Sequence, residues 1–89
     1  MAIVVTAWAS SRNAYAAVHE QVGGTAPGLI VHTASEVDGK VRIVEVWESR
    51  RQIDEFVQAK LGPALAKLGG QMDQPELSET FSIDHQRAE

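Results

Sequence analysis

The chain has 89 residues, a formal net charge of −4 and no cysteine. A chain of this length predicts one domain, residues 1–89, whose own core is small. The acidic balance, with no basic run longer than Arg50-Arg51, argues against nucleic-acid binding. The lack of cysteine excludes disulfides and thiolate metal sites, and the three histidines are far apart in sequence, so we predict no metal and no other cofactor.

The first part of the chain predicts a strand followed by a helix. Ala2–Trp8 is a short apolar run rich in β-branched residues, which is typical of a strand. Either Ser10 or Ser11 can cap the helix that follows, which should extend from about Arg12 to Val22 because apolar side chains recur there at spacings of three and four. Gly23-Gly24 should end this helix.

The dipeptide Asp38-Gly39 lies between two strand-like runs, Gly28–Glu36 and Val41–Glu48. A two-residue Asp-Gly loop favours a type I′ turn, because both central residues need a positive φ. If Val37 pairs with Lys40, every later pair of the hairpin follows. These pairs include His32 with Glu45, Val31 with Val46 and Ile30 with Trp47.

Side chains alternate between the two faces of a sheet, so this register sorts the hairpin into two sets. One face should carry an imidazole, a carboxylate, an indole and two aliphatic side chains: His32, Glu45, Trp47, Ile30 and Ile43. The other face should carry four apolar side chains: Leu29, Val31, Val44 and Val46.

The remaining sequence predicts a second helix and a fourth strand. Ser49 should cap the helix, with Gln52 three residues later as in a capping box. Gly62-Pro63 interrupts the helix and predicts a kink or a restart. The apolar stripe of this helix comprises Ile53, Phe56, Val57, Leu61, Leu65 and Leu68. Alternating Leu77, Phe81 and Ile83 predict the last strand.

The element order is therefore βαββαβ. This order predicts an α+β, ferredoxin-like domain with a four-stranded antiparallel sheet and two helices on one face. The other sheet face would be apolar and open, which predicts an interface. A homodimer formed sheet to sheet would bury that face, giving a dimeric α+β barrel.

Three short segments resemble the dimeric α+β barrel superfamily, in particular its antibiotic-biosynthesis-monooxygenase-like group and small actinobacterial-type members of it. These segments are Pro27–His32, Val44–Ser49 and Leu61–Leu65, and the late strand Glu76–His85 fits the same order. The resemblance implies that a ligand lies between the sheet and the helices of one subunit, with Trp47 lining its pocket. It also implies that the opposite face meets the partner subunit.

The sequence departs from two enzyme types of that superfamily. Haem-degrading relatives resemble one another in an Asn–Trp–His set, of which only the Trp is matched, since Ala2–Trp8 has no Asn and the second helix has no His. Quinone-forming monooxygenases use Asn, Tyr and Arg beside the Trp. This chain has one Asn, Asn13, one Tyr, Tyr15, and a possible Arg, Arg42, which parity puts on the dimer face, so residue matching does not carry that chemistry over.

The candidate catalytic residues are His32 and Glu45. The carboxylate would hold the tautomer of the ring, and the pair could act as a general base on a phenol or an acidic C–H. An ordinary stabilising cross-strand pair is the alternative interpretation. The candidate substrate-binding residues are Trp47, Ile30, Ile43, Tyr15 and Phe56. Trp47 could stack on an aromatic ligand or be a core residue under the second helix, and the two roles are compatible. Tyr15 could cap the pocket or fill the core with its hydroxyl at the surface. His19 is expected on the surface of the first helix, and His85 near the chain end in solvent.

Two functions from different classes are compatible with these residues. The first is a cofactor-independent enzyme, such as a monooxygenase or an isomerase, that acts on a small aromatic or polyketide-like substrate. The second is a non-catalytic dimeric protein that binds a hydrophobic metabolite or serves as an accessory protein. No basic region typical of a signal peptide opens the chain and no apolar run is long enough to span a membrane, so we expect a cytoplasmic protein without a membrane partner.

Overall fold

The computed structural model describes residues 2–23, 25–69 and 75–80. The elements follow the predicted βαββαβ order, with a π-helical segment inside the second helical region. Their bounds are β1 Ile3–Ala9, α1 Arg12–Val22, β2 Leu29–Val37, β3 Lys40–Trp47, α2 Arg50–Phe56, the π-helical segment Val57–Leu61, α3 Gly62–Leu68 and β4 Glu76–Glu79. Phe81, Ile83 and His85, which we predicted in or beside the last strand, lie outside the described residues.

The four strands form one sheet in the order β2-β3-β1-β4, and every neighbouring pair is antiparallel. The helices cover one face, where Val5, Trp47 and Ile53 form the buried cluster. Partly buried apolar side chains pack against this cluster: Ile3, Ala26, Leu29, Phe56 and Leu77. The predicted α+β ferredoxin-like fold is therefore confirmed.

The hairpin turns at Asp38-Gly39, as predicted. Asp38 has a φ of 50° and Gly39 a φ of 82°, the two positive values that a type I′ turn requires. The predicted register is confirmed from Val37–Lys40 to Val31–Val46 and includes the pair His32–Glu45.

The predicted pair of Ile30 with Trp47 is wrong. A β-bulge interrupts the ladder between Leu29 and Val31, and Trp47 pairs with Leu29 instead. A bulge inserts one extra residue on one strand, which reverses the alternation of faces beyond it. Leu29 therefore packs against the core on the helix face, where we did not expect it, and Ile30 is 40% exposed instead of lining the pocket.

Serine side chains begin both helical regions. The Ser11 hydroxyl accepts the N–H of Ala14 at 3.1 Å. The Ser49 hydroxyl accepts the N–H of Gln52 at 3.3 Å and donates to the Gln52 side-chain oxygen at 2.9 Å. Gln52 thus binds the serine hydroxyl, where a capping box would bind the serine N–H.

The predicted interruption at Gly62-Pro63 takes the form of a π-helical turn. The N–H of Gly62 donates to the carbonyl of Val57, five residues earlier. A proline ring crowds the carbonyl four residues before it, here that of Ala59, so the wide turn lies where an α-helix would be most strained. A Cβ on Gly62 would lie 2.9 Å from the Val57 oxygen, so the close backbone approach requires glycine.

The sheet face opposite the helices carries a continuous apolar block. Val4 pairs with Val46 and Val46 with Val31, so one row crosses three strands, and Val44 lies in the next row. All four valines are partly exposed. Among the described residues, no helix is both long and apolar enough to cross a membrane.

Candidate functional site

A cavity of about 810 Å³ lies between the sheet and the helices, within the range usual for small-molecule pockets. Apolar side chains from the second helical region line one part of it: Phe56, Val57, Leu61, Leu65 and Leu68. Tyr15, His19, His32 and Glu45 supply polar groups to the lining. The site therefore combines a large apolar volume with a few polar groups.

The polar groups form a chain of hydrogen bonds across three elements. The Tyr15 hydroxyl, on α1, lies 2.7 Å from Nε2 of His32, on β2. Nδ1 of His32 lies 2.5 Å from Oε2 of Glu45, on β3. The other Glu45 oxygen accepts the indole N–H of Trp47 at 3.0 Å.

The predicted proximity of His32 and Glu45 is confirmed, because their cross-strand pair places both side chains on the helix face. Both side chains are largely covered, with 24% of His32 and 16% of Glu45 exposed. An ionised carboxylate can only accept a hydrogen bond, so Nδ1 of His32 carries the proton in this pair. In the neutral ring, Nε2 is then an acceptor and the Tyr15 hydroxyl is its donor.

Tyr15, which we predicted as a substrate-binding residue, lies at the end of this chain and lines the cavity. Burial raises the pKa of the Tyr15 hydroxyl above its ordinary value of 10.0, and the negative charge of Glu45 raises it further. The phenol is therefore neutral at physiological pH and can act as a hydrogen-bond donor.

Trp47 lines the cavity, as predicted, and also belongs to the buried core. The side chain borders the cavity, but only 1% of the residue is exposed. Its ring packs against that of Phe56, with centroids 5.3 Å apart and planes at 47°. The indole N–H donates to Glu45, so Trp47 also holds the carboxylate of the site in place.

His19 is the residue of the site that sequence reasoning missed. We expected it on the surface, but it lines the cavity, with its ring centroid 5.5 Å from that of Tyr15 and 5.8 Å from that of His32. The signal was present in the sequence, because Tyr15 and His19 are four residues apart on one helix and so share a face.

The remaining predicted site residues divide in two. Ile43 and Phe56 line the cavity, whereas Ile30 lies outside it because of the bulge. In the part of the chain that the structure describes, no three His, Asp or Glu side chains converge as metal ligands.

The pair of His32 and Glu45 can take a proton from a bound hydroxyl and hold the resulting positive charge between imidazole and carboxylate.

Comparison with known proteins supports the fold and leaves the reaction open. No family model matches the sequence, and no curated protein matches it. A solved structure of a protein provisionally assigned as an antibiotic biosynthesis monooxygenase, from Chloroflexus aurantiacus J-10-fl, superimposes with a TM-score of 0.73 at 14% sequence identity. The match covers 96% of this chain and 98% of that one. The chain thus has the α+β fold of the antibiotic-biosynthesis-monooxygenase-like proteins, as the sequence resemblance predicted.

Proposed function

We propose that this protein is a cofactor-independent enzyme of the monooxygenase type, acting on a small aromatic or polyketide-like substrate. The observation that carries the proposal is the pairing of His32 with Glu45 beside a cavity of about 810 Å³. A positioned imidazole that is oriented by a carboxylate is the usual arrangement of a general base. The likeness to the solved monooxygenase-like structure supports the same class of reaction.

In the proposed reaction, His32 is the final acceptor of a proton from the substrate, and Glu45 holds the resulting imidazolium. The electron-rich substrate anion then reacts with O₂ in the apolar cavity. For an anthrone-like substrate, a ring methylene and O₂ give a ring carbonyl and water. The substrate supplies the electrons, so the balance needs no further reductant.

The proposal includes a homodimer formed through the open sheet face, and a cytoplasmic location. The block of Val4, Val31, Val44 and Val46 supports the dimer, since a second copy would cover it and complete a barrel. The cytoplasmic location is supported by the lack of cysteine.

One observation favours the alternative, a non-catalytic binding or accessory protein. Both nitrogens of His32 and both oxygens of Glu45 have hydrogen-bond partners within the chain. A network in which every polar atom already has a hydrogen-bond partner can be purely structural. Its role here would be to hold helix α1 on the sheet.

Oxidation assays distinguish the two functions. The protein is incubated under O₂ with a panel of anthrone-like and hydroquinone-like compounds, and product formation and O₂ consumption are measured. His32→Ala should abolish turnover, whereas the control Ser35→Ala, exposed on the same strand, should leave it unchanged. Binding of these compounds without any turnover would instead support the accessory protein.

A further inference from the structure

We propose that Tyr15 is the residue that contacts the substrate and that it passes a proton from a phenolic or enolic hydroxyl to His32. This inference rests on the proposed function of the cavity and specifies the substrate class, a compound whose reacting group is an ionisable hydroxyl. Tyr15, His32 and Glu45 then act as a three-member proton relay.

The first argument is that His32 has no free nitrogen. Nδ1 faces Glu45 at 2.5 Å and Nε2 faces the Tyr15 hydroxyl at 2.7 Å. A substrate hydroxyl could bind His32 directly only by displacing one of these partners. The Glu45 carboxylate is in turn held by the Trp47 N–H at 3.0 Å.

The second argument is that the Tyr15 hydroxyl keeps acceptor capacity. A phenolic oxygen has one proton and can also accept hydrogen bonds. Its proton is directed to Nε2 of His32, and the residue lines the cavity. An incoming hydroxyl can therefore donate to the Tyr15 oxygen without breaking any hydrogen bond of the resting site.

Two protons move along the hydrogen bonds from the substrate through Tyr15 to His32, and every bond broken is matched by one formed. The substrate O–H bond breaks and a new O–H bond forms on Tyr15, while the original Tyr15 proton leaves its oxygen and forms an N–H bond on Nε2 of His32. Tyr15 is neutral before and after. The products are a substrate anion and an imidazolium that lies against the Glu45 carboxylate.

The third argument concerns charge and selects the substrate class. Of the described residues, two charged side chains line the cavity, Glu45 and, five residues away on the same strand, Lys40. Burial and the charge of Glu45 hold Tyr15 in the neutral form. A ligand carboxylate placed beside Tyr15 would be repelled by the charge of Glu45 and would lose its hydration among the apolar side chains of the lining. A neutral phenol or enol enters without that cost and becomes charged only when the imidazolium forms beside it.

The test uses 4-nitrophenol, whose neutral and ionised forms have different absorption spectra. It is bound to the full chain at a pH at which the free probe is mostly neutral, and the ionised-to-neutral ratio of the bound probe is measured. Tyr15→Phe should lower this ratio about tenfold or more, as expected for the loss of one hydrogen bond to a charged group. His32→Gln should lower it similarly, because the proton then has no acceptor.

The control variant is Tyr15→Ala, which removes the phenol and opens direct access to His32. Ionisation of the bound probe that survives in Tyr15→Phe would overturn the relay, since it would show direct contact with His32 past the ring. Ionisation that is lost in Tyr15→Phe and returns in Tyr15→Ala would support it, because His32 then accepts the proton once the ring no longer separates it from the probe. Thermal unfolding of each variant shows whether the fold is kept.

A second measurement avoids substitution altogether. The chain contains one tyrosine, so labelling with ¹³C-tyrosine gives a single Cζ resonance. This resonance should move when 4-nitrophenol binds to the wild-type protein, and an unchanged resonance in the bound state would contradict contact with Tyr15. Failure of 4-nitrophenol and of other phenols to bind would overturn the substrate class.

These outcomes are separable from the proposed monooxygenase function. If Tyr15→Phe loses probe ionisation but the wild-type protein oxidises none of the test compounds, the relay stands and the proposed reaction with O₂ is refuted. Turnover of a substrate without an ionisable hydroxyl would keep the enzyme and refute the relay.

Discussion

The hydroxyl of Tyr15 lies 2.7 Å from Nε2 of His32, and this contact joins helix α1 to strand β2. It occupies the one imidazole nitrogen that Glu45 leaves free. It also places the only tyrosine of the chain between the cavity and the predicted general base. The pKa of the Tyr15 hydroxyl is therefore the quantity that reports most directly on this site.

Tyr15 should titrate above its ordinary pKa of 10.0, since burial and the charge of Glu45 both disfavour the phenolate. Ultraviolet titration of tyrosinate measures this, and one tyrosine gives one transition. Because the folded-state pKa is the higher one, the native state binds this proton more tightly than the unfolded chain. The associated stability is fully present below pH 10.0 and is lost as pH rises through the folded-state value.

Glu45→Gln provides the matched control for that titration. The substitution removes the negative charge and leaves the burial, so the pKa of Tyr15 should fall part of the way toward 10.0. Exposed Glu55→Gln should leave it unchanged. If the pKa of Tyr15 does not change in Glu45→Gln, the charge of Glu45 is not a cause of the raised pKa.

Much of the sheet could be predicted from one dipeptide. Asp38-Gly39 determines the turn type, the turn type determines the register, and the register brings His32 opposite Glu45. The prediction fails at Ile30 because a bulge depends on how a strand end is packed. The sequence near Leu29 carries no marked signal of that packing.

The site was predicted less completely than the sheet. Strand parity places side chains on a face, but contacts between a helix and a sheet depend on how the helix lies across it. The Tyr15–His32 bond and the inward position of His19 are contacts of that kind. The burial of Trp47 likewise depends on where Phe56 packs.

Trp47→Phe should lower the free energy of unfolding by about 2 kcal/mol or more, because it removes the N–H held by Glu45 and leaves a small cavity. Trp8→Phe is the control, since Trp8 is 38% exposed and should change stability by no more than about 0.5 kcal/mol. Urea denaturation followed by circular dichroism, at equal protein concentration, measures both. Equal effects of the two substitutions would contradict a structural role for the Trp47 indole.

Gly62→Ala should destabilise the protein, although glycine to alanine normally stabilises a helix by about 0.5–1 kcal/mol. The added Cβ would lie 2.9 Å from the Val57 carbonyl oxygen, which is backbone and cannot move alone. We expect a cost of about 1–3 kcal/mol, typical of overpacking. Gln58→Ala, at an exposed position of the same π-helical segment, should cost less than about 0.5 kcal/mol. Stabilisation by Gly62→Ala would show that the π-helical turn is absent in solution.

Val44→Asp should convert the proposed dimer to a monomer that keeps its fold. Val44 lies beside the row of Val4, Val46 and Val31 on the open face, where a partner subunit would bury an unpaired carboxylate. Sedimentation velocity at micromolar concentration should show a dimer for the wild type and a monomer for the variant, with unchanged far-ultraviolet circular dichroism. Val57→Asp makes the same chemical change on the helix side and should remain dimeric. A wild-type monomer at this concentration would refute the sheet-to-sheet interface, whereas the ligand cavity, which lies on the other face, would be unaffected.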